Sequence, residues 1–415
     1  MFSITKIINP TLNIINQFRT FFAHQNNTSS ESTPTNRPIR VALLVDEYFG
    51  GAGTAYGGYG FLARRYIAKY IPNKEISLDV LLNLSKKEEH HIIDGVNVYR
   101  LPKNKLFAKL WLLRKKYHLF LSIELTSSSY KILKIDNKKT PLLLWIQDPR
   151  PWYEWREINT VKLYPESCYW DCKVYEYIHE LHLLDKVNFI TQGESLNNKA
   201  RDLYRLNNDT PIKLIPNPIE TNKQIDLHSK KNQIIFLGRI ESVKRGWLFC
   251  EIAKRLPKLE FYVLGQTFRE KDRMSSIISK YKNIENLHFA GHVDGEEKGK
   301  YLMESKILVN TSIHEAIPIS FLEALSYGTL IVSNRNPENL TSKFGIWVGD
   351  VIGDGFESVD RYVQGIQHII DNDEERQLKA KEAIQYINSV HNINKFKKDL
   401  RSKIIETIKQ NSLPQ

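Results

Sequence analysis

Twice along this chain, short and continuously apolar runs alternate with stretches of helical periodicity, and that alternation restricts the fold more than any other feature. Val41-Ala-Leu-Leu-Val45 has no polar side, the pattern of a strand covered on both faces in a parallel sheet. Parallel neighbours need crossover connections, which helices supply. The first series predicts strands at Val41–Val45, Leu78–Leu84, Val96–Leu101, Leu119–Ile123, Pro141–Ile146 and Val187–Thr191. Its helices are expected at Phe61–Tyr70, Leu106–Lys116 and Asn197–Tyr204. The second series predicts strands at Ile234–Leu237, Phe261–Leu264, Leu287–Phe289, Ile307–Asn310, Leu330–Ser333 and Ile346–Val348. Between them lie helical patterns at Trp247–Leu256, Arg273–Tyr281, Glu296–Glu304, Ile319–Tyr327 and Tyr362–Asp371. The fold class is therefore α/β: two Rossmann-like, doubly wound parallel-sheet domains in tandem, with a ligand cleft between them.

A chain of 415 residues has room for two such domains. Residues 39–225 form the first, with an aromatic-rich insertion at 149–181, and residues 233–390 the second, after a polar linker at 226–232. Residues 391–415 read as a closing basic helix. Ahead of this frame, residues 1–24 carry Phe and Ile at roughly helical spacing with few charges. They fit an interfacial helix on a membrane surface, or a helix packed on protein. Residues 25–38 are polar and Pro/Ser/Thr-rich, a flexible linker. The longest apolar run, Pro141–Ile146, is far too short to cross a bilayer. Three cysteines form no disulfide framework, which fits a reducing, cytoplasmic setting, peripheral on the inner membrane face if residues 1–24 anchor. No zinc-spaced Cys/His pair accompanies Cys168 and Cys172, so no metal site is expected. The net charge of +12 favours an anionic partner. Lys and Arg are scattered among acids rather than gathered in a stripe, which argues against nucleic acid.

Chemistry concentrates where strands end. The glycine-rich turn Phe49–Gly60, with Gly50, Gly51 and Gly53, can let backbone approach a phosphate or sugar, or can simply be a mobile loop. Gln147 and Asp148 follow a strand and so fall on the crevice side of the first sheet. The insertion after them holds Trp152, Tyr153, Trp155, Tyr164, Tyr169, Trp170, Tyr175 and Tyr177, which suit either an acceptor platform or an aromatic subcore. In the second series Arg239 and Lys244 flank a tight turn beginning at Gly238, and two cations there can hold a diphosphate. In Ile313–Gly328 (I-H-E-A-I-P-I-S-F-L-E-A-L-S-Y-G), Glu315 and Glu323 lie eight positions apart across the start of an apolar helix. A glutamate in such a run needs a partner: a lysine, water or the hydroxyls of a ligand.

These residues resemble the retaining GT-B glycosyltransferases of family 4, the "glycosyl transferases group 1" type. The pattern E-G-F-x-x-x-x-x-E-A is matched by Glu315 through Glu323-Ala324, and G-R-x-x-x-x-K by Gly238, Arg239 and Lys244. Asn286–His292 looks like the loop that meets the nucleotide base, Gly265 like the end of the second strand, and Ile215-Pro-Asn217 like the close of the first domain. The resemblance implies a nucleotide-sugar donor and a saccharide or lipid-linked acceptor in surface-polysaccharide or lipopolysaccharide assembly. It implies a hexosyl-type transfer without a metal ion or other cofactor. Arg239 and Lys244 would neutralise the departing diphosphate, Glu323 would hold the ribose, and Glu315 the hydroxyls of the transferred sugar. Ala316, Ile317, Pro318 and Ile319 would face phosphate and sugar, with His292 at the base and Gly50, Gly51, Gly53, Gly238 and Gly265 against the donor. Gln147, Asp148, Trp152 and Trp155 would stand on the acceptor side. The last helix would cross back to the first domain. Gln147 stands where the family often has histidine and cannot act as a base, so its expected part is to bind sugar. A sugar-nucleotide epimerase or hydrolase on the same fold is the alternative reading.

Overall fold

The computed structural model describes residues 38–166, 168, 171–221, 224–267 and 271–411. Segment 1–24, nearly all of linker 25–38, and Tyr169 and Trp170 lie outside them.

The first sheet is built from β1 (Ile39–Leu44), β2 (Ile76–Ser85), β3 (Glu89–Ile93), β4 (Val96–Pro102), β5 (Leu119–Ile123), β6 (Leu142–Ile146), β7 (Val187–Thr191) and β8 (Ile212–Leu214). Its order is β3-β4-β2-β1-β5-β6-β7-β8, parallel except for β3. β5 and β6 are buried along their whole length, β6 as a continuous apolar run and β5 with Ser122 as its one polar residue. Edge strand β3 was not expected. It is an exposed E-H-H-I-I segment joined to β4 through Asp94-Gly95, both with positive φ (51° and 78°), the two-residue hairpin turn that Asp-Gly favours.

Helices cross between these strands. The first, α1, runs through Gly58–Phe61, Leu62–Ile67 and Ala68–Tyr70, its middle piece π-wound. Then come α2 (Lys105–Lys115), α3 (Ser127–Asp136), α4 (Trp152–Ile158), α5 (Cys172–Leu183) and α6 (Asn197–Tyr204).

The second sheet takes β9 (Lys231–Leu237), β10 (Glu260–Leu264), β11 (Leu287–Gly291), β12 (Ser305–Asn310), β13 (Leu330–Ser333) and β14 (Gly345–Trp347) in the order β11-β10-β9-β12-β13-β14, all parallel. Its helices are α7 (Gly246–Arg255), α8 (Lys271–Ser279), α9 (Gly295–Glu304), α10 (Ile319–Ser326), α11 (Leu340–Lys343), α12 (Val359–Asp371) and α13 (Asp373–Val390). The expected pair of Rossmann-like domains is what forms.

Two segments tie the halves together. The last helix, α14 (Ile393–Gln410), returns to the first sheet: Phe396, Leu400 and Ile404 join the core of Val41, Leu43 and Trp145, and the Phe396 ring stacks on Trp145 at 5.6 Å. Arg401 fixes it by donating to the carbonyls of Tyr70 (2.6 Å) and Ile71 (3.0 Å). In the opposite direction, the segment after β6 leaves the first half. Trp155, Ile158, Val161 and Tyr164 pack into the second half's core beside Trp247 and Phe236. The amides of Lys162 and Leu163 both donate to Asp354 (2.9 Å each), and Ser242 donates to the Tyr164 carbonyl. Burial of apolar rings drives this docking, so part of the aromatic insertion serves the neighbouring domain rather than its own.

Candidate functional site

The carboxyl ends of β9 and β12 bring Lys244 and Glu315 together. Leaving β9, the chain turns at Gly238, whose N–H donates to Leu264 O (3.1 Å). A Cβ on Gly265 would lie 1.8 Å from the Gly238 carbonyl oxygen, so these two loops touch backbone to backbone and only glycine fits. Past them, a tight turn at Ser242–Lys244 aims the lysine at the loop after β12, and its Nζ donates to Glu315 Oε1 at 2.5 Å. Ser312 Oγ (2.6 Å) and Asn310 Nδ2 (3.1 Å) donate to the same oxygen. Burial pushes the Glu315 pKa up, but Lys244 and these hydrogen bonds more than reverse it, so the carboxyl is held below its usual range.

Arg245, which sequence reasoning passed over, builds the frame. Fully buried, it donates to the carbonyls of Thr311 (2.6 Å), Ser312 (3.3 Å), Val351 (3.1 Å) and Gly353 (2.9 Å). It thereby locks the turn of Lys244 to the loop of Glu315. The run K-R-G was its only signal: of two adjacent cations before a helix, one turns inward. Arg239 is half-exposed, with Nε 3.6 Å from Glu241 Oε2.

Glu323 of α10 is largely covered and paired with a lysine: Lys298 Nζ of α9 lies 2.8 Å from its Oε1. Lys298 also approaches Asp294 (3.5 Å), which Arg65 of the first half reaches at 2.8 Å. The segment Ala316–Ile319 leads into the N-terminus of α10 at the junction of the halves. Ile317 lies where a Cβ on Gly193 would be 2.3 Å away, and Ile319 is 3.8 Å from the corresponding point on Gly58. From the glycine-rich turn, Tyr56 packs its ring on His292 at 4.4 Å. A Cβ at Gly50 would fall 2.5 Å from the Tyr56 ring and one at Gly51 2.8 Å from Tyr48, whereas Gly53 has nothing within 4 Å. Of the three, Gly53 alone has open space where a Cβ would go.

On the first sheet's edge, Gln147 is buried in an amide cluster. Its Oε1 accepts from Asn217 Nδ2 (2.9 Å) and its carbonyl from Gln192 Nε2 (2.6 Å), while Gln147 Nε2 has no partner among the described residues. Asp148 faces the other half. His314, one residue before Glu315, sits with Nε2 2.6 Å from Asp148 Oδ1 and Nδ1 2.8 Å from Glu154 Oε2. Burial lowers the His314 pKa, but the two carboxylates outweigh it and hold it above its ordinary value. Burial likewise opposes ionisation of Glu154, yet His314 and Lys199 bring it down to about 2. This clamp was invisible in sequence because His314 lies 160 positions from Glu154 and 166 from Asp148.

The two tryptophans expected on the acceptor side part company. Trp155 is only 4% exposed and belongs to the second core, a correction to its expected place: burial of its ring outweighs presenting it to a ligand. Trp152 is 52% exposed, with the Arg156 guanidinium 3.9 Å above its ring. The D-x-D triplet Asp371-Asn372-Asp373 joins the last residue of α12 to the first of α13, where Asp373 pairs with Arg376 (2.7 Å) and Lys306 (2.9 Å) as a structural link.

Two Rossmann-like domains edge to edge, with the final helix returned to the first, make the GT-B fold. Within it, residues 218–386 match the family model described as Glycosyl transferases group 1. Among similar proteins, an uncharacterized glycosyltransferase of Methanocaldococcus jannaschii is 23% identical over 219 residues, 49% of this chain and 50% of its own length. The chain spans about half the length of the curated relatives it matches. Similar solved structures include the sucrose-phosphate synthase of Thermosynechococcus elongatus, with a TM-score of 0.68 and 12% identity over 90% of this chain and 100% of that one. HepE of Anabaena in complex with UDP has a TM-score of 0.64 and 11% identity, covering 89% of this chain and 100% of that chain.

Proposed function

We propose that this protein transfers a glycosyl group from a nucleoside-diphosphate sugar to a saccharide or lipid-linked acceptor, with retention of anomeric configuration, in the assembly of a surface polysaccharide or lipopolysaccharide. The observation that carries the reading is the pair Lys244–Glu315 at the carboxyl edge of the second sheet, inside the matched segment 218–386 and facing the first half across the His314 clamp.

The chemistry asks for stabilisation of charge on the leaving diphosphate as the anomeric bond loosens. Lys244 and Arg239 supply cations, and the first turn of α10 supplies N–H groups that a helix leaves without internal partners. The acceptor hydroxyl attacks the anomeric carbon from the face the diphosphate leaves. Its oxygen forms the new C–O bond as the bond to the diphosphate breaks, and its proton passes to a phosphate oxygen. Glu315, held ionised, accepts from hydroxyls of the transferred sugar, and Gln147 Nε2 donates to a sugar oxygen from the other side. Glu323 takes the ribose hydroxyls, exchanging Lys298 for them. No step calls on a metal ion.

The test is a thermal-shift panel of UDP-, GDP-, dTDP- and ADP-sugars, because a ligand that binds only the folded state raises Tm. One nucleotide class should raise it, and the matching sugar should be consumed faster with acceptor than without. Consumption at the same rate without acceptor would favour a hydrolase, and interconversion of free sugar nucleotides an epimerase. No shift with any nucleotide would remove the reading.

A further inference from the structure

We infer that Glu124, buried at the carboxyl edge of the first sheet, is the positioning residue that aims Gln147 at the transferred sugar and sets Asp148 against the second half. The inference deepens the glycosyl-transfer reading and rests on it. Glu124 follows β5, whose Ile123 lies level with Trp145 of the neighbouring β6. Its side chain reaches across to the end of that next strand. Oε2 accepts from the backbone amides of Gln147 (2.9 Å) and Asp148 (2.8 Å). Oε1 accepts from the Tyr204 hydroxyl at the end of α6 (3.1 Å) and from the Leu125 amide (3.4 Å). A single carboxylate therefore fastens the β6 loop, a helix end and its own loop to one point.

Glu124 is more than a satisfied core acid on two counts. Its φ of 53° lies in the left-handed region, which costs any residue with a Cβ and persists only where the surroundings enforce it. Here they do: the Glu124 amide donates to the Trp145 carbonyl (2.8 Å), and the Glu124 carbonyl accepts from Ser122 Oγ (2.6 Å). A buried charge is also expensive, and an apolar side chain would fill the same space without that cost. The second count is what the carboxylate holds. Gln147 Nε2 is buried with no partner among the described residues, and Asp148 Oδ1 lies 2.6 Å from His314 Nε2 of the other half. Every partner of the Glu124 carboxylate named above is a donor, and burial raises the Tyr204 pKa, so that hydroxyl keeps its proton. Glu124 accordingly moves no proton in the reaction and acts through the backbone it fixes. Displacing that backbone by a fraction of a hydrogen-bond length is enough to spoil the aim of the amide it carries.

Calorimetry of the full chain with UDP-, GDP-, dTDP- and ADP-glucose, each against its bare nucleoside diphosphate, tests it. Glu124→Leu should weaken binding of the glucose ester about tenfold while leaving affinity for the bare diphosphate unchanged. Glu124→Gln should return to within about threefold of wild type, because its carbonyl oxygen can still accept both amides while its NH2 donates to the Tyr204 oxygen. Placed on Gln147→Ala, Glu124→Leu should add little further loss, since the two act as one unit. Should the leucine variant fail to fold, Glu124→Asp, which keeps the charge and loses one methylene of reach, should show the same selective loss. The inference alone is overturned if wild type binds a glucose ester and the Leu and Asp variants bind it equally well. Equal weakening of ester and bare diphosphate, or a lowered Tm with both affinities intact, overturns it too by leaving Glu124 only a part in stability. A wild type that binds none of these ligands removes the glycosyl-transfer reading and this inference with it.

Discussion

The two sheet edges that face each other occupy equivalent places in equivalent folds, yet they are furnished with opposite chemistry. The second edge is ionic: Lys244, Arg239, Glu315 and the buried Arg245 that frames them. The first, around Gln147, Gln192 and Asn217, is a neutral amide cluster. A diphosphate demands cations, whereas sugar hydroxyls are satisfied by amides that carry no charge to desolvate. The acids beside it are already engaged: Asp148 and Glu154 with His314 of the other half, and Glu124 with the backbone amides of Gln147 and Asp148. Under the proposed function, that division would give phosphate to one domain and carbohydrate to both.

That contrast can be broken by single substitutions. Lys244→Ala should lower kcat about a hundredfold with the fold intact, on the scale of losing one charge-stabilising donor. Arg239→Ala, at a more exposed position, should cost about tenfold in the same steady-state assay. Gln147→Ala should lower kcat/KM about tenfold while leaving affinity for the free nucleoside diphosphate unchanged. If it instead weakened nucleotide binding as Lys244→Ala does, the division between edges would fail. Glu323→Ala should weaken nucleoside diphosphate binding about tenfold by calorimetry. Unchanged affinity would leave Glu323 only its ion pair with Lys298.

The smallest effect concerns the clamp, and its sign follows from linkage. His314 has a raised pKa in the folded chain, so its contribution to stability is complete below its unfolded value of about 6.5 and fades as pH rises through the raised one. Asp148 and Glu154 are lowered, so theirs is present above the unfolded carboxylate range and is lost only as pH falls toward the folded value, about 2 for Glu154. Urea midpoints should therefore decline above neutrality in wild type, and His314→Gln should flatten that slope.

Legibility in sequence followed the same physics. β6 announces itself because a strand buried on both faces reads as an unbroken apolar run, and β5 departs from that only at Ser122, whose hydroxyl donates to the Glu124 carbonyl at 2.6 Å. β3 escaped notice because an edge strand exposed to water need not be apolar, though Asp94-Gly95 marked its turn. Helix α13 buries Arg376, Ala380, Ala383 and Ile387, a stripe too weakly apolar to stand out among its charges. At the site, Lys244 and Glu315 were legible because one short motif carries each. Arg245 and His314 were not, since what defines them is a set of partners reached only after folding. The aromatic insertion left platform and subcore both open for a related reason: Trp155 and Trp152 share a helix and a composition, and only the docking of that helix decides which ring is buried.

The central claim is that Lys244 grips a diphosphate, and the most direct measurement compares affinities for the nucleoside diphosphate and for its bare nucleoside. Wild type should prefer the diphosphate strongly, and Lys244→Ala should lose at least tenfold of that preference while binding the nucleoside as before. A preference unchanged by the substitution would contradict the account.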